Sequence, residues 1–268
     1  MAKGAGDENF PVASKLLPAW SRPHVKAFYA FARAADDVAD DPDLTPAAKL
    51  QALDAMNTQI DAGAAHPYAE VDELMQSLEE SGVTSQHAKE LLSAFMRDVE
   101  QPRTQDWVGL MAYCRFSAAP VGRYLIDLLG GVEGNDPAAS DALCSALQIL
   151  NHLQDVRSDL ERLDRVYVPA NWMMVHGVNV EDLRADRCTP ALRAVFDLML
   201  DGVEGLLVAA KPLPRQIRSK ALAREAGGVL AVAWRLARAL RRQDPLAERV
   251  ELPRTVMGAW FLWGALTA

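Results

Sequence analysis

The segment Tyr29–Asp40 constrains the fold most, because it combines a strong helical signal with an unusual placement of charge. It is rich in alanine and contains neither glycine nor proline, which favours a helix. At about 100° per residue, its polar residues fall on one narrow stripe: Tyr29, Arg33, Asp36, Asp37 and Asp40. The rest of the circumference is apolar, the reverse of an ordinary surface helix. We therefore predict a buried helix whose carboxylates face something other than bulk water, the alternative being an acidic stripe on the surface.

A second polar face of the same kind recurs more than a hundred residues later. Asn151, Asp155 and Asp159 are spaced four residues apart, so they share one face of a helix. Gln148 and His152 flank that face, and aliphatic residues form the opposite side. Two Asp-x-x-x-Asp helices of one design, each with an apolar back, predict two facing walls of one acidic cavity.

The chemistry that uses such a cavity is the Mg²⁺-dependent handling of a diphosphate. Mg²⁺ prefers oxygen ligands and is usually held by one or two carboxylates together with substrate phosphates. Two like charges ~6 Å apart at an effective dielectric of ~20 repel by about 3 kcal/mol. A cluster of four or five carboxylates therefore needs cations to relieve the repulsion, and those cations can then hold phosphate oxygens.

The composition supports a protein that acts on a small molecule. Half of the 268 residues are hydrophobic, which is ample for a sizeable core, and the net charge of −8 argues against a nucleic-acid surface. Cys114, Cys144 and Cys188 have no metal-like spacing and fit a reducing cytoplasm. We see no secretory signal and no run of the ~20 apolar residues that a membrane-spanning helix requires, so we expect a cytoplasmic protein.

Strand signals are almost absent, and helices separated by proline or glycine account for nearly the whole chain. We predict them at about 21–41, 46–62, 69–81, 84–100, 104–131, 137–163, 190–211, 216–243 and 253–266. Thr45 and Pro46 provide a cap and a first-turn proline for the second of these helices. We find no linker and no repeat, which predicts one all-α domain.

The predicted helix 104–131 has the features of a cavity wall. Tyr113 and Ser117 share a face, and Pro120 removes a backbone hydrogen bond and should kink the helix. Small residues such as Gly122 leave room beside the kink. We predict a wall shaped for a long hydrocarbon, with ordinary close packing of helices as the alternative.

These blocks together resemble the squalene/phytoene synthase family. The resemblance rests on Tyr29–Asp40, on Tyr113–Gly122, and on Asp155 and Asp159 followed by Arg165–Pro169. It extends to Asn9–Pro18 and Arg249–Leu252, so that it covers roughly residues 8–255. Within the family, the chain is most similar to the bacterial hydroxysqualene synthases of hopanoid biosynthesis. The resemblance implies a single-domain, isoprenoid-synthase-type helical bundle around a central cavity, spanning residues 1–268.

The resemblance also implies a reaction. The substrate would be presqualene diphosphate, and the products hydroxysqualene and diphosphate, formed by ionisation, carbocation rearrangement and capture of water. Mg²⁺ would be bound by Asp36, Asp40, Asp155 and Asp159 and would promote departure of the diphosphate as a Lewis acid. Asp37 would assist from outside the metal's coordination shell.

The implied substrate-binding residues come from every block. Arg33 and Arg165 would form charge-assisted bonds to phosphate oxygens, and tyrosine rings could stabilise a cation. The full set is Asn9, Tyr29, Arg33, Tyr113, Ser117, Asn151, Arg165 and Tyr167. We expect His152 to be a hydrogen-bonded residue of the wall.

Gln154 marks a departure from the wider family, which usually has arginine immediately before the first aspartate of the second motif. The family also usually has one residue fewer between Asp159 and Arg165. Both departures agree with the hydroxysqualene-forming branch. An amide can both donate and accept hydrogen bonds, so we predict a catalytic role in which Gln154 holds a water molecule for capture.

Two alternatives stay open from the sequence. One is a head-to-head prenyl transferase, namely a squalene, dehydrosqualene or phytoene synthase acting on farnesyl or geranylgeranyl diphosphate. The other is a non-catalytic relative, which should have lost the aspartates that this chain retains. We expect no nucleic-acid partner and consider functional coupling to a presqualene diphosphate synthase. The segment Met257–Leu266, with its two tryptophans, could touch the inner membrane face.

Overall fold

The computed structural model describes residues 16–62 and 67–268, and over these ranges the chain is helical, with no β-strand. The helices are α1 (Ser21–Asp40), α2 (Pro46–Ala62), α3 (Ala69–Ser81), α4 (Gln86–Glu100), α5 (Trp107–Ser117), α6 (Ala119–Leu128), α7 (Ala138–Leu163), α8 (Ala170–Val175), α9 (Pro190–Ala210), α10 (Leu213–Gln216), α11 (Lys220–Arg242) and α12 (Arg254–Thr267). Two short 3₁₀ helices, Glu133–Asn135 and Val180–Arg184, lie in the connections. The predicted all-α class is confirmed.

The ends of several helices follow from capping chemistry. Thr45 Oγ1 accepts from the Ala48 amide at 3.2 Å at the start of α2, where Pro46 is the first helical residue. Asp106 caps α5 by accepting from the Gly109 amide at 2.7 Å. Each bond satisfies an amide that has no partner within its helix. At the other end of α3, Gly82 adopts a left-handed conformation (φ +70°) that disfavours a side chain.

The structure differs from the predicted helices at three places. The predicted helix 104–131 is two helices, because the backbone leaves helical geometry at Ala118 (φ −121°, ψ −48°). Pro120 therefore lies in the first turn of α6, where its missing amide costs nothing, instead of kinking one long helix. The short helix α8 was not predicted. The predicted helix 216–243 begins only at Lys220, after the separate helix α10.

Two groups of helices enclose the interior. Helix α1 packs against α2, α3 and α4, while α7 packs against α5, α6, α9 and α11. With 26 residues, α7 is about 39 Å long at 1.5 Å per residue. Helix α12 lies along α11, where Gly227 and Gly264 let the two backbones approach closely. One continuous apolar core connects both groups.

Candidate active site

The polar faces of α1 and α7 line one cleft of about 660 Å³. From the predicted site, the cleft brings together Arg33, Asp36, Asp37, Asp40, Tyr113, Ser117, Asn151, Asp155, Asp159, Arg165 and Tyr167. The prediction that the two aspartate-bearing helices form walls of one acidic cavity is therefore confirmed.

The α1 wall contains three carboxylates, two of which are paired with the Arg33 guanidinium. Arg33 donates to Asp36 Oδ2 at 2.9 Å and to Asp37 Oδ1 at 2.6 Å, as expected for residues three and four positions apart on a helix. Burial raises the pKa of Asp36 to about 7, and repulsion from the Asp40 carboxylate adds to this rise. Asp37 is exposed. Behind the stripe, Phe28, Phe31, Ala35 and Ala39 are buried, so the apolar back of α1 is in the core as predicted.

Arg165 joins the two walls. It follows α7 after a turn in which Asp164 adopts a left-handed conformation (φ +52°). The buried guanidinium donates to Asp40 Oδ1 at 2.6 Å and to the Ala39 carbonyl at 3.0 Å. Charge-assisted bonds of this kind are about twice as strong as neutral ones. Both residues line the cleft, and the contact occupies one oxygen of Asp40.

The α7 wall presents its two aspartates differently. Asp155 is paired with Arg249, which comes from the segment between α11 and α12, with Arg249 Nε 2.9 Å from Asp155 Oδ1. Asp159 Oδ2 lies 3.9 Å from His152 Nδ1. Both carboxylates are largely buried in the wall of the cleft.

Asp98, which was not among the residues predicted for the site, also lines the cleft. It is buried on α4 and accepts from the Tyr113 hydroxyl at 2.8 Å and from the Tyr167 hydroxyl at 2.9 Å. Burial raises the pKa of Asp98, an effect opposed by nearby Arg165. Burial also raises the pKa of both phenols well above the ordinary value, so they stay protonated donors. The ring of His152 stacks on Tyr167 with centroids 3.6 Å apart, which agrees with its predicted place in the wall.

A signal for Asp98 was present in the sequence. Leu91, Ala94 and Asp98 are spaced three and four residues apart, so Asp98 continues the buried face of α4. A carboxylate on an apolar helix face requires partners, and the two tyrosines provide them.

A second cavity, of about 400 Å³, is lined mainly by apolar residues of α1, α6, α7 and α11. Ala32 and Leu147 line this cavity, whereas the next residues along the chain, Arg33 and Gln148, line the acidic cleft. The two cavities therefore lie side by side along α1 and α7. Gly122 brings α6 close to α7, since a Cβ there would lie 2.4 Å from Ser140 Oγ. An apolar cavity therefore lies beside the α6 part of the predicted wall, whereas Tyr113 and Ser117 line the acidic cleft.

Two buried donors in this region have no hydrogen-bond partner within the described ranges. They are Arg33 Nε and Ser117 Oγ, on residues that line the cleft. Buried donors are normally satisfied, so these two atoms fit an anionic ligand. No three Asp, Glu, His or Cys side chains in residues 16–62 and 67–268 are grouped closely enough to hold a metal ion by themselves. The oxygen donors present fit Mg²⁺, which completes its coordination with water and phosphate.

Comparison with known proteins gives the family. The family model described as squalene/phytoene synthase matches residues 4–256. The chain belongs to the squalene/phytoene synthase family. Proteins named hydroxysqualene synthase from Rhodopseudomonas palustris and Sinorhizobium fredii are 40% and 37% identical to it, each over 92% of this chain and 84% of the relative. The crystal structure of squalene synthase HpnC from Alicyclobacillus acidocaldarius is similar with a TM-score of 0.76, at 31% identity and over 87% of each chain.

Two residues predicted for this squalene/phytoene synthase site lie elsewhere. Tyr29 lines the apolar cavity and not the acidic cleft. Gln154 is buried, and its amide donates to the Val250 carbonyl at 2.6 Å. The expectation that Gln154 holds a water in the cleft is wrong, because its position on α7 turns it toward the segment before α12. Asn9, the remaining predicted residue, lies outside the described residues.

Proposed function

We propose that the chain is a hydroxysqualene synthase, which converts presqualene diphosphate and water to hydroxysqualene and diphosphate. The observation that carries the proposal is the acidic cleft beside an apolar cavity, both formed by α1 and α7. A prenyl diphosphate has the same two parts, a charged head and a long hydrocarbon. The identity to proteins named hydroxysqualene synthase over most of their length supports this choice within the family.

We propose Mg²⁺ as the cofactor, held by Asp36 and Asp40 on one wall and by Asp155 and Asp159 on the other. All four residues supply carboxylate oxygens to the same cleft. Burial and the neighbouring Asp40 carboxylate both raise the pKa of Asp36, and a bound cation would offset both effects. When bound, Mg²⁺ would act as a Lewis acid on the leaving diphosphate.

The chain's own residues bind and orient the diphosphate. Arg33 Nε and Ser117 Oγ offer donors to the phosphate oxygens, while Asp37 orients the Arg33 guanidinium from the exposed side. Asn151 lines the same wall. Arg165 contributes positive charge at the Asp40 end of the cleft.

In this proposal, the rings of Tyr113 and Tyr167 stabilise the carbocation. As the C–O bond to diphosphate breaks, the leaving group takes the electron pair, and water then forms the new C–O bond and loses a proton. Asp98 holds the hydroxyls of Tyr113 and Tyr167, and their rings line the cleft. Aromatic faces stabilise cations within about 6 Å of the ring centroid, so we assign the two rings this role. Tyr29 shapes the space for the hydrocarbon.

A head-to-head prenyl transferase is the second candidate, favoured by the structural similarity to a protein titled squalene synthase. Incubation of the purified protein with farnesyl diphosphate and Mg²⁺ discriminates the two. We expect farnesyl diphosphate to persist, whereas presqualene diphosphate is consumed in a parallel reaction. Consumption of farnesyl diphosphate alone, with formation of presqualene diphosphate or a hydrocarbon, would favour the second candidate.

We further propose that residues 1–268 form one domain and that the protein is functionally coupled to an enzyme that makes presqualene diphosphate.

We also propose peripheral contact with the inner membrane face. In the described part of the chain, no helix is long and apolar enough to cross a membrane. Leu262, Trp263 and Leu266 of α12 are exposed, a pattern suited to a membrane interface. Vesicle co-sedimentation tests this contact, and a Trp263→Ser/Leu266→Ser double variant should bind less.

A further inference from the structure

The segment of residues 244–252, which we call the strap, connects α11 to α12 across α7 and carries Arg249 to the cleft. We propose that Arg249 is a competing cation that occupies Asp155 until metal and diphosphate bind together, and that Gln154 is the residue that positions it. The inference rests on the proposed function, because it assumes a metal-bound diphosphate in the cleft.

Helix α7 holds the strap through two side chains that lie three residues apart. Gln154 Nε2 donates to the Val250 carbonyl at 2.6 Å, and Arg157 Nη1 donates to the Leu246 carbonyl at 3.3 Å. Leu246 and Val250 are buried, so the strap is packed as well as hydrogen-bonded. The position of Arg249, one residue before Val250, is therefore fixed relative to α7.

The anchored strap places the Arg249 guanidinium against both oxygens of Asp155. Arg249 Nε lies 2.9 Å from Asp155 Oδ1, and Nη2 lies 3.4 Å from Oδ2. The remaining nitrogen, Nη1, pairs with Glu251 at 3.0 Å on the exposed side. Two-point contact of this kind favours a planar guanidinium over other cations.

A metal ion that binds Asp155 approaches the same two carboxylate oxygens that Arg249 contacts, and the two cations repel each other. Metal alone must therefore displace the guanidinium or bind beside it, and either event weakens metal binding. A diphosphate changes the balance, because it brings several anionic oxygens to which the displaced guanidinium can donate. The tether at Val250 keeps Arg249 beside the cleft after displacement. Arg249 should thus oppose metal binding without diphosphate and favour diphosphate binding with metal.

Arg249→Gln tests whether Arg249 has these opposite effects on metal binding and on diphosphate binding. Binding of Mn²⁺ as a probe for Mg²⁺, measured by electron paramagnetic resonance, should become several-fold tighter in the variant. Binding of inorganic diphosphate at saturating Mg²⁺, measured by calorimetry, should become weaker by about tenfold, the loss typical of a charged hydrogen bond. Arg249→Lys keeps the charge but lacks the planar guanidinium. Its affinities for Mn²⁺ and for diphosphate should therefore lie between those of Arg249→Gln and those of the parent.

Gln154→Met tests the positioning step, since methionine has a similar length but no donor. It should shift both affinities in the same directions as Arg249→Gln, and hydrogen exchange of strap amides should become faster. Arg254→Gln removes an exposed arginine at the first position of α12, just after the strap, and controls for net charge.

No gain in Mn²⁺ affinity in Arg249→Gln, or a change of the same sign in both measurements, overturns the inference. If only Gln154→Met leaves both affinities unchanged, the positioning role is overturned. Both measurements use inorganic diphosphate, so they are independent of turnover. A parent protein that forms no hydroxysqualene would refute the proposed function while leaving this test intact.

Discussion

Arg165 Nη1 donates to Asp40 Oδ1 at 2.6 Å, across 125 positions of sequence. The contact joins the turn after α7 to the last turn of α1, and the second arm of the guanidinium bonds the Ala39 carbonyl. One buried cation thereby holds the two acidic walls of the cleft at a fixed separation. The geometry that the four aspartates offer to a ligand depends on this pair.

Arg165→Met should therefore lower the free energy of unfolding. Methionine retains much of the side-chain volume but makes neither bond, and loss of hydrogen bonds to a charged group costs about 2 kcal/mol. Urea unfolding of the metal-free protein measures the change. Arg162→Met removes an exposed arginine from the same cleft and should change stability by less than about 0.5 kcal/mol. Equal effects of the two substitutions would contradict the role assigned to Arg165.

Asp36→Ala and Asp155→Ala should each reduce turnover of presqualene diphosphate by orders of magnitude while the protein stays folded. Each substitution removes one proposed metal ligand, and removal of a carboxylate from a repelling cluster need not destabilise the fold. Asp37→Ala is the matched comparison, because Asp37 is exposed in the same cleft and, within the described part of the chain, its carboxylate pairs only with Arg33. The loss of turnover in Asp37→Ala should be smaller than in the other two variants. Near-normal turnover in either of the first two variants would refute the metal assignment.

The pKa of Asp36 predicts a pH-dependent stability of the metal-free protein. It rises from 3.8 to about 7 on folding, so the folded state binds the proton more tightly than the unfolded chain. The contribution of Asp36 to stability must then fall as pH increases from about 4 through about 7. Asp36→Asn removes this titration, and its melting temperature should exceed that of the parent by a few degrees at about pH 8. The difference should shrink toward about pH 4, and a constant difference across this range would contradict the prediction.

Asp98→Asn should reduce turnover by about tenfold, the cost of one charged hydrogen bond. Asp98 accepts from two tyrosine hydroxyls, whereas an amide offers one acceptor and one donor group. One of the two phenols must then reorient in the cleft. Asp54→Asn alters an exposed carboxylate on α2 and serves as the control. Unchanged turnover in Asp98→Asn would show that the Asp98 network does not position the rings for catalysis.

The sequence predicted most helices closely because their ends carry strong local signals. Helices α2 and α3 match the predicted bounds, and Pro46 and Gly82 explain why. The two aspartate pairs also faced one cavity as expected, since periodicity on a helix determines which residues share a face.

Periodicity could not determine which other segment of the chain each helix face contacts. Gln154 precedes Asp155 by one residue, yet the α7 rotation of about 100° per residue directs it to Val250 instead of the cleft. The Arg249 contact with Asp155 spans 94 positions and has no local signature. The buried face of α4 marks Asp98 as a carboxylate that needs partners, but only the fold identifies Tyr113 and Tyr167 as those partners.

The most direct test of the proposed function is the source of the product oxygen. The protein is incubated with presqualene diphosphate and Mg²⁺ in ¹⁸O-labelled water without NADPH, and the products are analysed by gas chromatography and mass spectrometry. We predict hydroxysqualene that carries ¹⁸O, formed only while metal is present and lost after EDTA treatment and desalting. An unlabelled alcohol, which would indicate cleavage at phosphorus, or a hydrocarbon as the main product, would contradict the proposed function.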